Sequence, residues 1–508
     1  MKFVSILDKH EVIWKDSPNA DYYTDLNLRQ IIDAISKGWG ESVEKYYNYF
    51  PKDAESEEYR RIVYRDLCLP GVYEALCAFY NKMCERKTMV AKKNDARHEL
   101  QREIWHISEV ALYCSALKSM YDAIRDVPFV SEGMRGFTAA VGEYMASPEY
   151  KDMEATAYSL KEELQDSRIT LVYENGRLAL SSIDPAGEVN ARHNESDGES
   201  ILRKLYPENG EHIISPFAYT PDLDGLEREM MRFYMHKKPK LFDTAEDFYN
   251  KYEDYACDFI LLFVEEVSFY LSFLRFEKHM ASEGFAFCEP EVKEDRRIEA
   301  VGLYDLALAA SNVLRHQPVI SNDFYYDDHE LFFVLTGPNQ GGKTTFARSL
   351  GQLVFFTKMG LHVPAQSANL HYFFDICTHF SVEESVETGR GKLMEELVRL
   401  APMMEHSRGD VFVILNELFT TAANYDSCIM GGKVLDHFIG AGCHGIYVTH
   451  LTELLESRGS AVGLCAQLDE NGVQSFKINR ELKEYTNCAA GQVNKYHLTY
   501  EDLKERLR

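Results

Sequence analysis

The sequence predicts a fold of the α/β plus all-α class, in which a helical region precedes a phosphate-loop domain with a mostly parallel sheet. From about residue 46 to 276, apolar side chains recur with the i, i+3, i+4 spacing of amphipathic helices. Beyond about residue 285, β-rich apolar runs alternate with helical patterns, which is typical of a parallel sheet covered by helices on both faces. One of these runs leads directly into a glycine-rich phosphate-binding motif.

These patterns divide the chain into an N-terminal segment (1–45), a helical core region (46–284) and an α/β domain (285–508). An insertion near 150–224 interrupts the helices. There Asn175-Gly176 joins two short β-rich runs, which is the strongest short-range signal for a two-residue hairpin. Residues 183–224 are rich in Pro, Gly, Asn, Asp and Glu, and we expect them to form loops.

Composition narrows the class of protein. The net charge is −26, and residues 331–508 hold 20 acidic and 16 basic residues, so most of the negative charge precedes them. This argues against broad, non-specific binding to nucleic acid. The eleven cysteines are scattered without a CxxC pair, as expected for reduced thiols. The apolar run 259–274 contains two adjacent glutamates, so it predicts a helix buried in protein and no membrane span. We therefore expect a cytoplasmic protein.

The phosphate-binding motif is GPNQGGKT, residues 337–344, which fits GxxxxGK[ST] between a strand and a helical pattern. In such a loop, backbone N–H groups surround the phosphates, Lys343 contacts the β- and γ-phosphate oxygens, and the Thr344 hydroxyl binds Mg²⁺. The expected cofactors are ATP and Mg²⁺. The residues assigned to them are Gly337, Pro338, Asn339, Gln340, Gly341, Gly342, Lys343, Thr344 and Thr345.

Hydrolysis also needs an acidic residue at the end of a neighbouring strand. The run DVFVILNE supplies five apolar residues followed by Asn416 and Glu417. We predict that Glu417 polarises the attacking water, with a structural carboxylate as the alternative. Asn416 stands where an aspartate is usual, and a neutral amide should bind the metal more weakly. His450 ends the run GIYVTH, either as a sensor of the γ-phosphate or as an ordinary polar residue.

Five segments together resemble the ATPase domain of the MutS mismatch-repair family, in the family's order. They are LTGPNQGGKTTF, GLHVPAQSANL, ETGRGKLMEEL, LNELFTTAANYDS and VTH. The resemblance is strong over residues 319–450 and weaker before them. It implies a P-loop, ABC-like ATPase domain and helical levers that open or close around DNA. It also implies a homodimer, in which each nucleotide lies between the phosphate loop of one subunit and a helix N-terminus of the other.

The resemblance also implies roles for individual residues. Lys343, Glu417 and His450 become the catalytic set, with His450 as a histidine switch. Asn339, Lys343 and Thr344 would hold phosphates and Mg²⁺, and Asp426 would belong to the loop that crosses the dimer interface. The stretch VISN (319–322) matches the segment beside the adenine, so Val319 and Asn322 are assigned to the nucleotide. An aromatic ring often stacks there, and Val319 cannot supply one.

The sequence departs from the family in three places. The segment presented to the partner usually reads GRST, but here it is Gly389-Arg390-Gly391-Lys392. Lys392 either supplies a charge in place of the hydroxyl or is a solvated lysine. The family usually has an Asp-Glu pair after this strand, but here the pair is Asn416-Glu417. The missing negative charge predicts slow hydrolysis. The module that reads a mispair is not recognisable, because residues 1–45 are too short to contain it.

The resulting hypothesis is a slow, dimeric ATPase that acts as a nucleotide-gated DNA clamp in repair or recombination. Because the mispair reader is not recognisable, structured or branched DNA is the expected substrate. The alternative is a nucleotide-controlled switch that grips another protein and has little affinity for DNA, as the acidic helical region suggests. A third possibility is a protein that binds ATP without turnover.

Overall fold

The structure is a computed structural model. It describes residues 3–9, 21–39, 43–165, 167–174, 177–185, 235–293, 297–313, 315, 317–327, 329–380, 391–455, 458–469, 473–480, 504 and 506. Two compact units are present. Met1–Phe3 and Cys68–Val264 form one, here called the helical unit, and Val4–Leu67 and Glu265–Arg508 form the other, the sheet unit.

The elements are numbered in chain order. The helices are α1 (Asp21–Asp25), α2 (Leu28–Ser36), α3 (Glu44–Tyr47), α4 (Ala54–Leu67), α5 (Val72–Asp95), α6 (Glu99–Ile124), α7 (Glu132–Ala146), α8 (Pro148–Gln165), α9 (Pro239–Lys251), α10 (Asp258–Ser282), α11 (Leu306–Val313), α12 (Lys343–Lys358), α13 (Lys392–Glu405) and α14 (Asn424–Gly440). The strands are β1 (Ser167–Glu174), β2 (Arg177–Pro185), β3 (Glu291–Lys293), β4 (Ile298–Leu303), β5 (Asn322–Tyr326), β6 (Phe332–Thr336), β7 (Ser367–His371), β8 (Asp375–Phe380), β9 (Val411–Asn416), β10 (His444–Val448), β11 (Ala461–Leu468) and β12 (Gln474–Asn479).

The helical unit contains the predicted hairpin. Strands β1 and β2 pair antiparallel, with Glu174 opposite Arg177, so a two-residue connection joins them. The turn residues Asn175 and Gly176 themselves lie outside the described part of the chain. Strand β2 continues to Pro185, so the prediction that loops begin at residue 183 is wrong by three residues: 183–185 pair with the first residues of β1. Residues 186–224, also predicted as loops, are not described.

The sheet unit is built on a six-stranded sheet in the order β12-β11-β6-β10-β9-β8. All neighbouring pairs from β11 to β8 are parallel, and only the edge strand β12 runs antiparallel. The predicted mostly parallel sheet is therefore present. A second sheet, in the order β3-β7-β4-β5, mixes parallel and antiparallel pairs. The strands of this second sheet are short, and the sequence pattern does not separate them from the first sheet.

Helices cover both faces of the six-stranded sheet because its central strands are apolar on both faces. On one face, α13 and α14 pack with β6, β9 and β10 in a core that includes Val413 and Leu415. On the other face lies α12, where a Cβ atom at Gly351 would come within 2.7 Å of Ile414. This close approach seats α12, and with it the residues at its N-terminus, directly on β9.

Helix α10 bears out the prediction of a protein-buried helix. From Glu265 onward it belongs to the sheet unit, where Glu266 is buried. The Glu266 carboxylate accepts hydrogen bonds from Ser5 Oγ at 2.7 Å and from the Ile6 N–H at 2.9 Å. Burial raises the pKa of Glu266 to about 7. Within the described residues, no helix is long and apolar enough to cross a membrane.

Candidate nucleotide site

The glycine-rich loop connects the end of β6 to the start of α12. Gly337 has φ of +123° and Gly342 has φ of +85°, values that residues with a Cβ atom rarely adopt. A Cβ atom at Gly337 would lie 2.9 Å from the backbone nitrogen of Ala466 on β11. The glycines therefore let the loop after β6 bend tightly and lie close against β11. The backbone of the loop forms a concave surface there.

Lys343 lies at the centre of this surface. It is buried, and its ammonium group donates to the carbonyl oxygens of Gly337 at 2.9 Å and Pro338 at 3.0 Å. The loop thus closes around a positive charge at the N-terminus of a sixteen-residue helix. A helix N-terminus and an ammonium group both favour an anion. These donors fit the phosphates of a nucleotide.

Thr344 and Asn416 meet at the adjacent strand end, as the sequence predicts for a metal site. The Thr344 hydroxyl donates to Asn416 Oδ1 at 3.1 Å. Both side chains present neutral oxygen atoms, which suit Mg²⁺ but add no negative charge to its surroundings. Among the described residues, no group of three or more His, Cys, Asp or Glu side chains could hold a metal ion by itself. The donor set fits a cation that reaches the protein together with the phosphates.

Glu417 follows β9 and lines the cavity beside the loop. Its φ of +52° is left-handed, an uncommon conformation for a residue other than glycine, and its N–H donates to Val448 O at 2.9 Å. His450 Nε2 lies 3.7 Å from Glu417 Oε1. Interaction with His450 lowers the pKa of Glu417 against the effect of partial burial, and the charges of Lys343 and Lys392 act in the same direction. An ionised carboxylate facing the cavity can accept a proton from water.

The cavity has a volume of about 440 Å³. Its walls come from the loop, from the start of α12, from residues 303–308 and 318–322, and from Glu417 and Phe476. Of the residues assigned to the nucleotide, the lining includes Val319, Asn322, Asn339, Gln340, Gly341, Gly342, Lys343, Thr344 and Thr345. Gly337 and Pro338, also assigned to the nucleotide, are not among the lining residues in the described part of the chain; their carbonyl oxygens accept hydrogen bonds from Lys343.

Phe476 is a cavity residue that the sequence did not predict. It is 44% exposed, has φ of +57° and lines the cavity. Asn322 places it: its Nδ2 donates to Phe476 O at 3.1 Å and its Oδ1 accepts from the Ile478 N–H at 2.9 Å. The amide of Asn322 is therefore engaged with β12, and the Phe476 ring lines the same cavity as Val319. No motif marks Phe476, because the strand that carries it is short and remote from the loop in sequence.

Lys392 is the first residue of α13 and does not line this cavity among the described residues. It lies at a separate depression beside Thr421. Gly389 and Arg390, predicted to be presented with it, are outside the described residues. Asp426 is exposed in the first turn of α14. Large apolar side chains are exposed on these two helices: Met394, Leu397 and Val398 on α13, and Tyr425 and Ile429 on α14.

Comparison with known proteins finds a family match over the segment that forms the site. The family described as MutS domain V matches residues 333–489, which contain the loop, β9 and β10. Residues 333–489 of this chain are therefore related to domain V of MutS. The DNA mismatch repair protein MutS of Thermotoga maritima is 32% identical to it over 140 residues, which are 28% of this chain and 18% of that protein. The MutS protein of Dinoroseobacter shibae is 29% identical over 198 residues, 38% of this chain and 21% of that protein.

The predicted resemblance to MutS is therefore confirmed, and it rests on the segment that forms the candidate site. The chain covers only about a fifth of the length of these curated relatives.

Proposed function

We propose that this MutS-related chain binds ATP with Mg²⁺ and hydrolyses it slowly. The observation that carries the proposal is the loop closed around the Lys343 ammonium at the head of α12, with Thr344 against Asn416 and Glu417 facing the same cavity. Lys343 and the loop N–H groups would hold the phosphates, and Thr344 with Asn416 would hold the metal. The bound Mg²⁺ would neutralise phosphate charge. Glu417 would orient and deprotonate the attacking water.

Equilibrium binding and turnover of ATP test this assignment. Lys343→Ala removes the ammonium group and should abolish measurable binding. Glu417→Gln keeps the shape of the side chain, so it should bind ATP normally but lose turnover by about two orders of magnitude or more, as expected when a general base is removed. Wild-type binding without turnover, identical to Glu417→Gln in single-turnover assays, supports a nucleotide-binding protein that is not an ATPase. Failure of the wild type to bind ATP with Mg²⁺ contradicts the proposal.

We further propose that two copies of the chain close the nucleotide site. Met394 and Leu397 of α13 line the same depression as Lys392, and further apolar side chains are exposed on α14. Exposed apolar surface of this kind favours association. Leu397→Asp places a charge on this surface and should keep the protein monomeric with ATP, as measured by light scattering after gel filtration. Lys392→Ala should leave the dimer intact and lower turnover. If turnover is unchanged, Lys392 has no role in the partner's site.

For the output of the site, we propose a clamp that acts on structured or branched DNA. Its support is the family: the relatives are named as DNA mismatch repair proteins. Binding to linear, mismatched and four-way-junction DNA at two salt concentrations, with and without ATP, tests it. Affinity for the junction that falls steeply with salt is expected from phosphate contacts.

The second candidate is a switch that grips another protein. It is favoured by the distribution of charge, since most of the −26 lies outside residues 331–508. Strongly acidic arms repel a duplex. Absence of binding to every DNA substrate in the same panel supports this candidate over the clamp.

A further inference from the structure

The turn that carries Glu417 is held in an unfavourable backbone conformation. Glu417 has φ of +52° and Phe419 has φ of +58°, both in the left-handed region. For residues other than glycine, each such conformation is strained and persists only where the surroundings enforce it. The position of the Glu417 carboxylate therefore depends on the contacts that hold this turn.

Three hydrogen bonds from three different elements hold it. The Glu417 N–H donates to Val448 O of β10 at 2.9 Å. The Phe419 carbonyl accepts from Ser427 Oγ of α14 at 2.8 Å. The Phe419 N–H donates to Glu396 Oε2 of α13 at 2.9 Å. Glu396 is fully buried, at 0% exposure, so its carboxylate reaches the turn through the interior of the protein.

Helix α13 is itself attached to a different part of the sheet unit. One turn after Glu396, the Arg399 guanidinium pairs with Asp21 at 3.0 Å and with Asp25, both on α1. Arg399 also donates to Phe380 O at 3.2 Å. Three side chains that precede Arg399 on α13 are exposed: Met394, Leu397 and Val398. The N-terminal half of α13 therefore has one side open to solvent. The helix thus has a fixed point at Arg399 and a buried hydrogen bond, through Glu396, to the turn.

We infer that Glu396 is a positioning residue for Glu417, and that the placement of α13 sets the placement of the Glu417 carboxylate through the Phe419 N–H. The inference rests on the proposed ATPase function for its catalytic consequence. Lys392 begins the same helix four residues earlier. A contact made at that end of α13 by a second copy is transmitted to the turn of the same subunit, which ties hydrolysis in one site to the closure of the other.

The chemistry of the link defines the variants. Glu396→Ala removes the acceptor and leaves the Phe419 N–H buried without a partner. Glu396→Gln keeps an oxygen acceptor of the same shape. Leu400→Ala, on the same helix, removes packing from the core without touching the hydrogen bond. Glu405→Ala removes a carboxylate from an exposed position of the same helix.

The test uses the full chain and compares kcat, KM for ATP and hydrogen exchange in the segment 416–422. Glu396→Ala should lower kcat by about 10- to 100-fold, as expected for a displaced catalytic group. Its KM should change by less than about 3-fold, because the phosphate loop is intact, and exchange in the turn should accelerate. Glu396→Gln should restore most of kcat. The Leu400→Ala and Glu405→Ala variants should keep kcat near that of the wild type.

If Glu396→Ala keeps the kcat of the wild type, the inference is overturned. It is also overturned if Leu400→Ala loses as much kcat as Glu396→Ala, because the loss would then come from general packing. If the wild type does not hydrolyse ATP, the proposed function fails separately. Hydrogen exchange alone then tests the inference. If exchange in segment 416–422 is the same in Glu396→Ala as in the wild type, Glu396 does not hold the turn.

Discussion

Replacing Asn416 with aspartate tests the reasoning about the metal site most directly. Asn416 is 6% exposed, and its Oδ1 accepts a hydrogen bond from Thr344 Oγ1 at 3.1 Å. A carboxylate ~4 Å from a divalent cation attracts it by ~2 kcal/mol at the dielectric constant of water and ~8 kcal/mol at an effective value of ~20. Burying the carboxylate costs several kcal/mol in the absence of a cation. We expect a net gain of about 1–2 kcal/mol, or roughly a ten-fold increase in apparent Mg²⁺ affinity.

The assay is ATP turnover as a function of Mg²⁺ concentration, together with thermal unfolding at pH 8. In Asn416→Asp, the Mg²⁺ concentration for half-maximal turnover should fall about ten-fold, and kcat should rise. Without metal and nucleotide, the variant should unfold at a lower temperature than the wild type, because the added charge is then buried and unpaired. An unchanged Mg²⁺ dependence would refute the assignment of Asn416 to the metal.

Three further predictions follow from single features of the sheet unit. Gly337→Ala should weaken ATP binding and lower the Tm, because its φ is +123° and a Cβ atom would lie 2.9 Å from a backbone nitrogen, whereas Gly459→Ala has free space and should change neither. For Glu266, burial raises the pKa from 4.5 to about 7, so its contribution to the free energy of unfolding is present below pH ~4.5 and is lost as pH rises through 7. Between pH 5 and 8, the free energy of unfolding measured by urea titration should decrease by up to ~3 kcal/mol in the wild type and by less in Glu266→Gln. An equal decrease in both proteins would contradict this. For Glu417, interaction with His450 lowers the pKa, so in His450→Asn the acidic limb of the pH–kcat profile should move to higher pH, and an unmoved limb argues against their coupling.

The parts of the site that sequence could predict are those encoded by contiguous residues or by strand ends. The loop 337–344 is local, so its motif specifies the backbone that Gly337 and Lys343 adopt. Asn416 could be placed beside Thr344 across 72 residues, because parallel strands bring their carboxyl ends to one edge of a sheet.

What escaped prediction depends on contacts between distant segments without a motif. Phe476 enters the cavity only because Asn322 bonds to β12, 154 residues away. Glu396 meets the turn because α13 packs into the core that β9 and α14 also form. The second sheet was missed for a similar reason, since its strands are short and its pairs mix both orientations. Periodicity reports the face of an element, but it does not report which element will cover that face.

The buried carboxylate of Glu266 has a consequence for biosynthesis. Its bond partner Ser5 lies 261 positions earlier in the chain. At elongation rates of ~5–20 residues per second, the ribosome needs ~13–50 s to bridge that interval. During this time Ser5 Oγ and the Ile6 N–H have no native acceptor, so the final docking of this segment must follow the emergence of α10 from the exit tunnel.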